Sequence, residues 1–243
     1  MGQFVDLTSS DGFVAPAWIA KPEGTPRGAV VVLQEIFGVN SHIRSVADRY
    51  AASGYLAVAP STFHRVKQGV ELGYTGDDMQ AGMGLKAAVE ALPAPGVLPD
   101  IQAAIDYAAQ HSGGKVGIVG YCWGGRTAWV YARHNGNLNA AVAYYGLLEG
   151  LKTPELRPQD PIDFADEIRV PVLGLYSGID AFVKQETIAK MRGLINKGGS
   201  GSEIVVFPNV DHGFNADYRP TYDKAAATYA QKLAGDWFKK YRV

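Results

Sequence analysis

Cysteine is nearly absent: the 243-residue chain has one, Cys122. A single thiol cannot build an internal disulfide framework or a multi-cysteine metal site, and a reduced cytosol is the simplest setting for such a chain. A surplus of charge is missing too, with 23 Lys and Arg against 24 Asp and Glu. Nucleic acid and anionic lipid select a strong basic excess, so neither is an expected partner. No apolar run approaches the ~18 residues that span a bilayer. The opening residues Met1-Gly2-Gln3-Phe4-Val5-Asp6 show no basic stretch followed by an apolar one, so no signal peptide is expected. Asp6 also breaks the myristoylation pattern. There is no internal repeat and no long low-complexity tract. The loosest stretches, 92–96 and 197–202, are short enough to be loops.

What the chain does have is apolar material, 47% of its residues, enough to offset chain entropy and to fill one sizeable core. A single domain over 1–243 is therefore expected. Phe4 to Leu7 and Val14 to Ile19 flank the turn-forming Ser9-Ser10-Asp11-Gly12 and read as a hairpin. Strand and helix signals then alternate. Ala29 to Leu33, Tyr55 to Ala59, Lys115 to Val119, Ala140 to Tyr145, Val172 to Tyr176 and Glu203 to Phe207 read as strands. Helices are expected from a Ser41 cap to Gly54, from an Asp100 cap onward, after Val119 to about His134, and from about Thr221 to Lys240. Strands that are apolar throughout, with helices between them, imply an α/β fold with a mostly parallel sheet covered on both faces. Ligands in such sheets bind beyond the carboxyl ends of the strands.

After the strand ending at Val119 comes Gly120-Tyr121-Cys122-Trp123-Gly124-Gly125. This is the strand–turn–helix form Gly-x-nucleophile-x-Gly, with Cys where Ser is usual. A lone Cys is most often a small buried hydrophobe. Here the flanking glycines allow a sharp corner, and the following helix N-terminus favours a thiolate. The backbone N–H of Trp123 is placed to hold an oxyanion. In the α/β-hydrolase order an acid and then a histidine follow the nucleophile. Asp180 and His212 do so, each in a loop after an expected strand. His212 would take the thiol proton, and Asp180 would orient its ring. Asp211 is adjacent to His212 in the chain, which makes a productive side-chain bond awkward. His42, His64, His111 and His134 have no comparable context. The second oxyanion donor should come from the loop Gln34-Glu35-Ile36-Phe37-Gly38-Val39-Asn40, and Ile36 N–H is the candidate. From the residues alone, Glu35 is either a surface carboxylate or a charged group near the thiol.

The runs 34–40 and 119–125, with Tyr144-Tyr145-Gly146, resemble the dienelactone hydrolase (carboxymethylenebutenolidase) family over nearly the whole chain. The resemblance implies an α/β-hydrolase fold, no cofactor, no metal, and a small cytoplasmic protein, monomeric or a small homo-oligomer, acting on a small-molecule ester or lactone. It implies catalytic Cys122, Asp180 and His212 and an oxyanion hole from the N–H groups of Ile36 and Trp123. It makes Glu35 a gatekeeper that keeps the resting thiol neutral, and it places Phe37 and Tyr145 along the substrate. A nearby negative charge does disfavour a thiolate, and a neutral thiol resists oxidation. The family's two carboxylate-binding arginines have no counterpart in sequence: Phe214-Asn215-Ala216 follows the histidine, Arg219 lies further on, and 77–84 holds no arginine. A less basic pocket is expected. A carboxylesterase or thioesterase with a non-anionic substrate, or a non-catalytic ligand-binding relative, is the alternative. The long connection 64–99 is either a lid or a solvated helical insertion.

Overall fold

The computed structural model describes residues 2–134, 137–150 and 159–243. The chain forms two compact units, Met1–Gly117 with Val243, and Ile118–Arg242.

In the first unit, β1 (Gln3–Thr8) and β2 (Val14–Ala20) make the expected antiparallel hairpin, with Phe4 opposite Trp18. Next come β3 (Ala29–Leu33) and β4 (Leu56–Pro60), which pair in parallel, and the strand order is β1-β2-β4-β3. Every residue of β3 and β4 is buried, as apolar strands without alternation require. Helix α1 (Ser41–Ala52) joins them. Its N-cap is Asn40, not Ser41: the Asn40 side chain accepts from Ile43 N at 3.2 Å. Two more helices follow, α2 (Gly76–Glu90) and α3 (Leu98–His111). Helix α2 starts with a reciprocal capping box between Thr75 and Asp78.

Asp100 does not cap α3. The N-cap is Val97, and Asp100 lies within the first turn. Its buried carboxylate takes a bidentate pair from Arg65 at 2.6 and 2.7 Å and a hydrogen bond from Ser9 Oγ at 2.5 Å. Arg65 also reaches Asp11 at 2.8 Å and lies over the Phe13 ring. One arginine thus ties the hairpin turn to the start of α3. Bidentate pairs of this kind are the strong ones, and removing one partner of a buried pair costs about 3–5 kcal/mol because the other charge is stranded.

The second unit contains β5 (Val116–Tyr121, which starts at the end of the first), β6 (Ala140–Tyr144), β7 (Val172–Ser177) and β8 (Glu203–Phe207), in that spatial order. β6 pairs with β7, and β7 with β8, in parallel. Helices α4 (Trp123–His134), α5 (Gln185–Gly198) and α6 (Lys224–Lys240) lie between or after the strands. Helix α5 is additional to the helices expected from sequence, although Ile188, Met191 and Ile195 line its buried side at helical spacing. Helix α6 starts at Lys224, three residues inside the expected start, and its N-cap Asp223 accepts from Ala226 N at 2.8 Å. Strands alternating with helices and pairing mostly in parallel make this an α/β fold. No helix among the described residues is long and apolar enough to cross a membrane.

Candidate active site

β5 ends at Tyr121 and α4 begins at Trp123, so Cys122 alone turns the chain. Its φ is +52°, a left-handed conformation that L-residues rarely adopt. The backbone enforces it: Cys122 N donates to Tyr144 O at 3.0 Å, and Cys122 O accepts from Arg126 N at 3.1 Å. Glycine is required on both sides. A Cβ on Gly120 would fall 2.0 Å from Gly124 O. A Cβ on Gly125 would fall 2.5 Å from Tyr144 O, and one on Gly146 2.3 Å from Gly125 C. The contact of Gly125 with Gly146, the last residue of the Tyr144-Tyr145-Gly146 run, is long-range and has no local signal. Tyr176, fully buried in β7, receives Trp129 Nε1 at 2.9 Å and donates to Gly146 O at 3.0 Å, bracing the same turn. The Cys122 side chain is partly exposed. Trp123, the next residue, contributes one of the first-turn amides that a helix cannot bond within itself.

The loops after β7 and β8 are stitched together. Gly178 N donates to Phe207 O at 2.7 Å, Ile179 N to Val210 O at 3.2 Å, and Ser177 Oγ to Asp211 O at 3.0 Å. A Cβ on Gly178 would fall 2.1 Å from Pro208 O, so only glycine lets the loops meet this closely. Asp180 Oδ1 accepts from Phe182 N at 2.7 Å and Val183 N at 3.2 Å. Its other oxygen, Oδ2, lies 2.8 Å from His212 Nδ1. The carboxylate is therefore clamped by backbone on one side and aimed at the imidazole on the other. Asp211 is occupied elsewhere, accepting from the His212 backbone N at 2.6 Å.

His212 is 5% exposed, and the Cys122 side chain is a second hydrogen-bond partner of its ring. Burial alone would lower the ring's pKa, but attraction to Cys122, hydrogen bonds to Asp180 and Cys122, and the Asp180 charge raise it from 6.5 to about 10. A raised folded-state pKa stabilises the protein fully below the unfolded value of 6.5, and that stability is lost as pH rises through about 10. Asp180→Asn removes two of these contributions. Urea unfolding measured between neutral and alkaline pH should show wild-type stability falling across that window and a shallower fall in the variant.

Two aromatic rings flank the imidazole, Tyr145 at 4.9 Å and Phe182 at 5.0 Å between centroids. Tyr145 is wholly buried with φ of +39°, whereas Phe182 is 65% exposed. Phe182 is additional to the residues chosen from sequence. So is the return of Arg219: successive turns bring its guanidinium against Gly213, where a Cβ would fall 2.4 Å from Nη1. A cation thus stands next to the residue that follows His212, despite its distance along the chain.

Glu35, Ile36 and Phe37 belong to the first unit, and all are buried. Glu35 Oε2 accepts from Tyr74 O–H at 3.1 Å, and the Tyr74 ring meets Phe37 at 4.6 Å edge to face. The 64–99 segment lies on this loop. Leu72 N donates to Phe37 O at 2.8 Å, Asn40 Nδ2 donates to Leu72 O at 2.9 Å, and Gly82 of α2 abuts Ile36 O. His64 meets the Phe13 ring at 6.0 Å between centroids. Among the described residues, no group of three or more His, Cys, Asp or Glu side chains could hold a metal ion.

Relatives align over almost the full chain. A candidate carboxymethylenebutenolidase of Yersinia pestis is 42% identical over 238 residues, covering 96% of this chain and 86% of that one. One of Escherichia coli O157:H7 is 40% identical over 236 residues, covering 96% and 84%. The crystal structure of a candidate dienelactone hydrolase from Klebsiella pneumoniae superposes with a TM-score of 0.87 at 37% identity, covering 99% of each chain. The sequence model of the dienelactone hydrolase family matches residues 15–242. With that match, and with an elbow, an acid and a histidine after the ends of β5, β7 and β8, the chain belongs to the dienelactone hydrolase family of α/β hydrolases.

Proposed function

We propose that this protein hydrolyses carboxylic esters and lactones, with Cys122 as nucleophile, His212 as acid–base and Asp180 as the group that orients it. The observation that carries the reading is a partly exposed cysteine acting on the His212 ring, whose Nδ1 lies 2.8 Å from a carboxylate clamped by backbone amides. His212 takes the thiol proton as Sγ bonds to the substrate carbonyl carbon. The carbonyl electron pair moves to oxygen, and the backbone amides of Trp123 and Ile36 hold it. Collapse of the adduct breaks the C–O bond, and His212 returns the proton to the departing alkoxide. The remaining thioester is attacked by water, which gives its proton to His212; the acid leaves and the thiol is restored. Esters suit this chemistry better than amides, because a thiolate leaves the adduct more readily than an amine.

The roles of Ile36, Glu35 and Phe37 come with family membership, and Tyr145 is placed on the substrate in the same way. No cofactor takes part. In the same reading the chain acts as one catalytic domain, a cytoplasmic monomer or small homo-oligomer, with no nucleic-acid or membrane partner. Acid quenching during turnover of p-nitrophenyl acetate, followed by peptide mass analysis, tests the mechanism. An acetyl group on the Cys122 peptide is expected; turnover with acetylation elsewhere, or nowhere, would overturn it.

Glu35→Ala is expected to raise the rate at which iodoacetamide alkylates Cys122 at neutral pH, since the negative charge that family membership assigns to oppose the thiolate is gone. Unchanged or slower alkylation would remove the gatekeeping role. Activity of the same variant on p-nitrophenyl acetate serves as the check that it is folded.

A further inference from the structure

Of the large apolar side chains left exposed, two stand beside Asp180 in the chain: Ile179, 62% exposed, and Phe182, 65%. Phe182 is not a stray surface ring. Its backbone N–H holds the Asp180 carboxylate at 2.7 Å, and its side chain meets His212 edge to face at 66° with centroids 5.0 Å apart. Phe182 also lines a cavity of about 400 Å³, along with the apolar Leu148, Ile162 and Val183 and charged residues that include Glu149 and Lys184. A volume of that size holds a small organic group.

The chemistry fixes which part of a substrate would meet this ring. The imidazole that takes the thiol proton must hand it to the leaving oxygen, so that oxygen lies within hydrogen-bond reach of His212. Whatever is attached to it extends past the imidazole, where Phe182 stands. An exposed aromatic against an acid–base residue leaves apolar surface uncovered until something packs on it.

We propose that Phe182 is the wall of a leaving-group subsite, selecting esters whose departing oxygen carries an aryl group over those in which it carries a small alkyl group. This rests on the Cys122–His212 mechanism above and names the half of the substrate that the mechanism leaves open. Phe182 binds substrate, and its effect is on the choice between substrates.

The test compares phenyl acetate with trifluoroethyl acetate, which share an acyl group, and phenyl acetate with phenyl hexanoate, which share a leaving group. In Phe182→Ala the kcat/KM ratio of phenyl to trifluoroethyl acetate should fall about tenfold, about 1.4 kcal/mol, mostly through KM for the phenyl ester. Phe182→Tyr, which keeps the ring, should retain the wild-type ratio within about twofold. The hexanoate-to-acetate ratio should stay constant in both variants. An unchanged phenyl-to-trifluoroethyl ratio in Phe182→Ala, including an equal loss on both esters, would overturn the proposal, as would a change confined to the acyl series. Failure of the underlying mechanism reads out separately, as turnover that survives Cys122→Ala.

Discussion

Cys122→Ala should lower kcat/KM on p-nitrophenyl acetate by at least about 10³-fold while leaving the chain folded. The loss is large because the sulfur is the atom that bonds to the acyl carbon. His212 and the backbone amides can then only polarise a substrate for direct attack by water. Removal of any member of such a set leaves the residual catalysis that oxyanion stabilisation and binding supply, commonly about 10³–10⁴ over water. The fold survives because nothing that holds the corner involves the side chain. The bonds at position 122 run from its N–H to Tyr144 O and from Arg126 N–H to its carbonyl. Substrate should still bind, so the loss falls on kcat. A variant that keeps more than a tenth of wild-type activity would end the nucleophile assignment.

The second large effect concerns the corner itself. Gly120→Ala places a methyl group 2.0 Å from Gly124 O, 2.2 Å from Gly124 C and 2.7 Å from Gly125 N, all backbone atoms of the first turn of α4. No rotamer can relieve that clash, so β5 and α4 must separate. The expected cost is at least about 3 kcal/mol, a large share of the 5–15 kcal/mol that holds a typical domain together. The readout is a lowered urea midpoint or failure to accumulate as folded protein. Gly193→Ala is the matched control. Gly193 is an exposed residue of α5 with nothing within 4 Å of its added Cβ, so the change should be neutral or stabilise by up to about 1 kcal/mol through helix propensity. Equal stability of Gly120→Ala and wild type would mean that strand and helix do not meet as described.

Much of this arrangement is legible in the sequence because it is encoded locally. Runs of apolar β-branched residues announce themselves without a partner, so β3, and β8 after its exposed Glu203, match expectation at both ends. Glycines around one nucleophile mark a corner, and the order of acid and histidine follows from the fold. What escaped is encoded by contacts between distant segments. Asp100 resembles a helix cap because a cap is a local pattern, yet its partners are Ser9 and Arg65 from far along the chain. Ser41 and Asn40 are both competent caps, and the backbone conformation at Asn40 decides between them. Phe182 gives no signal of its own, because its meaning lies in the imidazole 5.0 Å away. Arg219 reaches the residue after His212 only through successive turns at 213–222, which sequence spacing does not reveal.

The corner at position 122 is built from main chain and from glycines that make room for it: Gly120 below, Gly125 and Gly146 behind, and Tyr176 bracing the rear. The reactive atom is held in place by a frame to which it contributes nothing. Such a frame permits descendants of this chain to exchange sulfur for oxygen, and so to move between soft and hard nucleophiles, while every surrounding bond stays where it is.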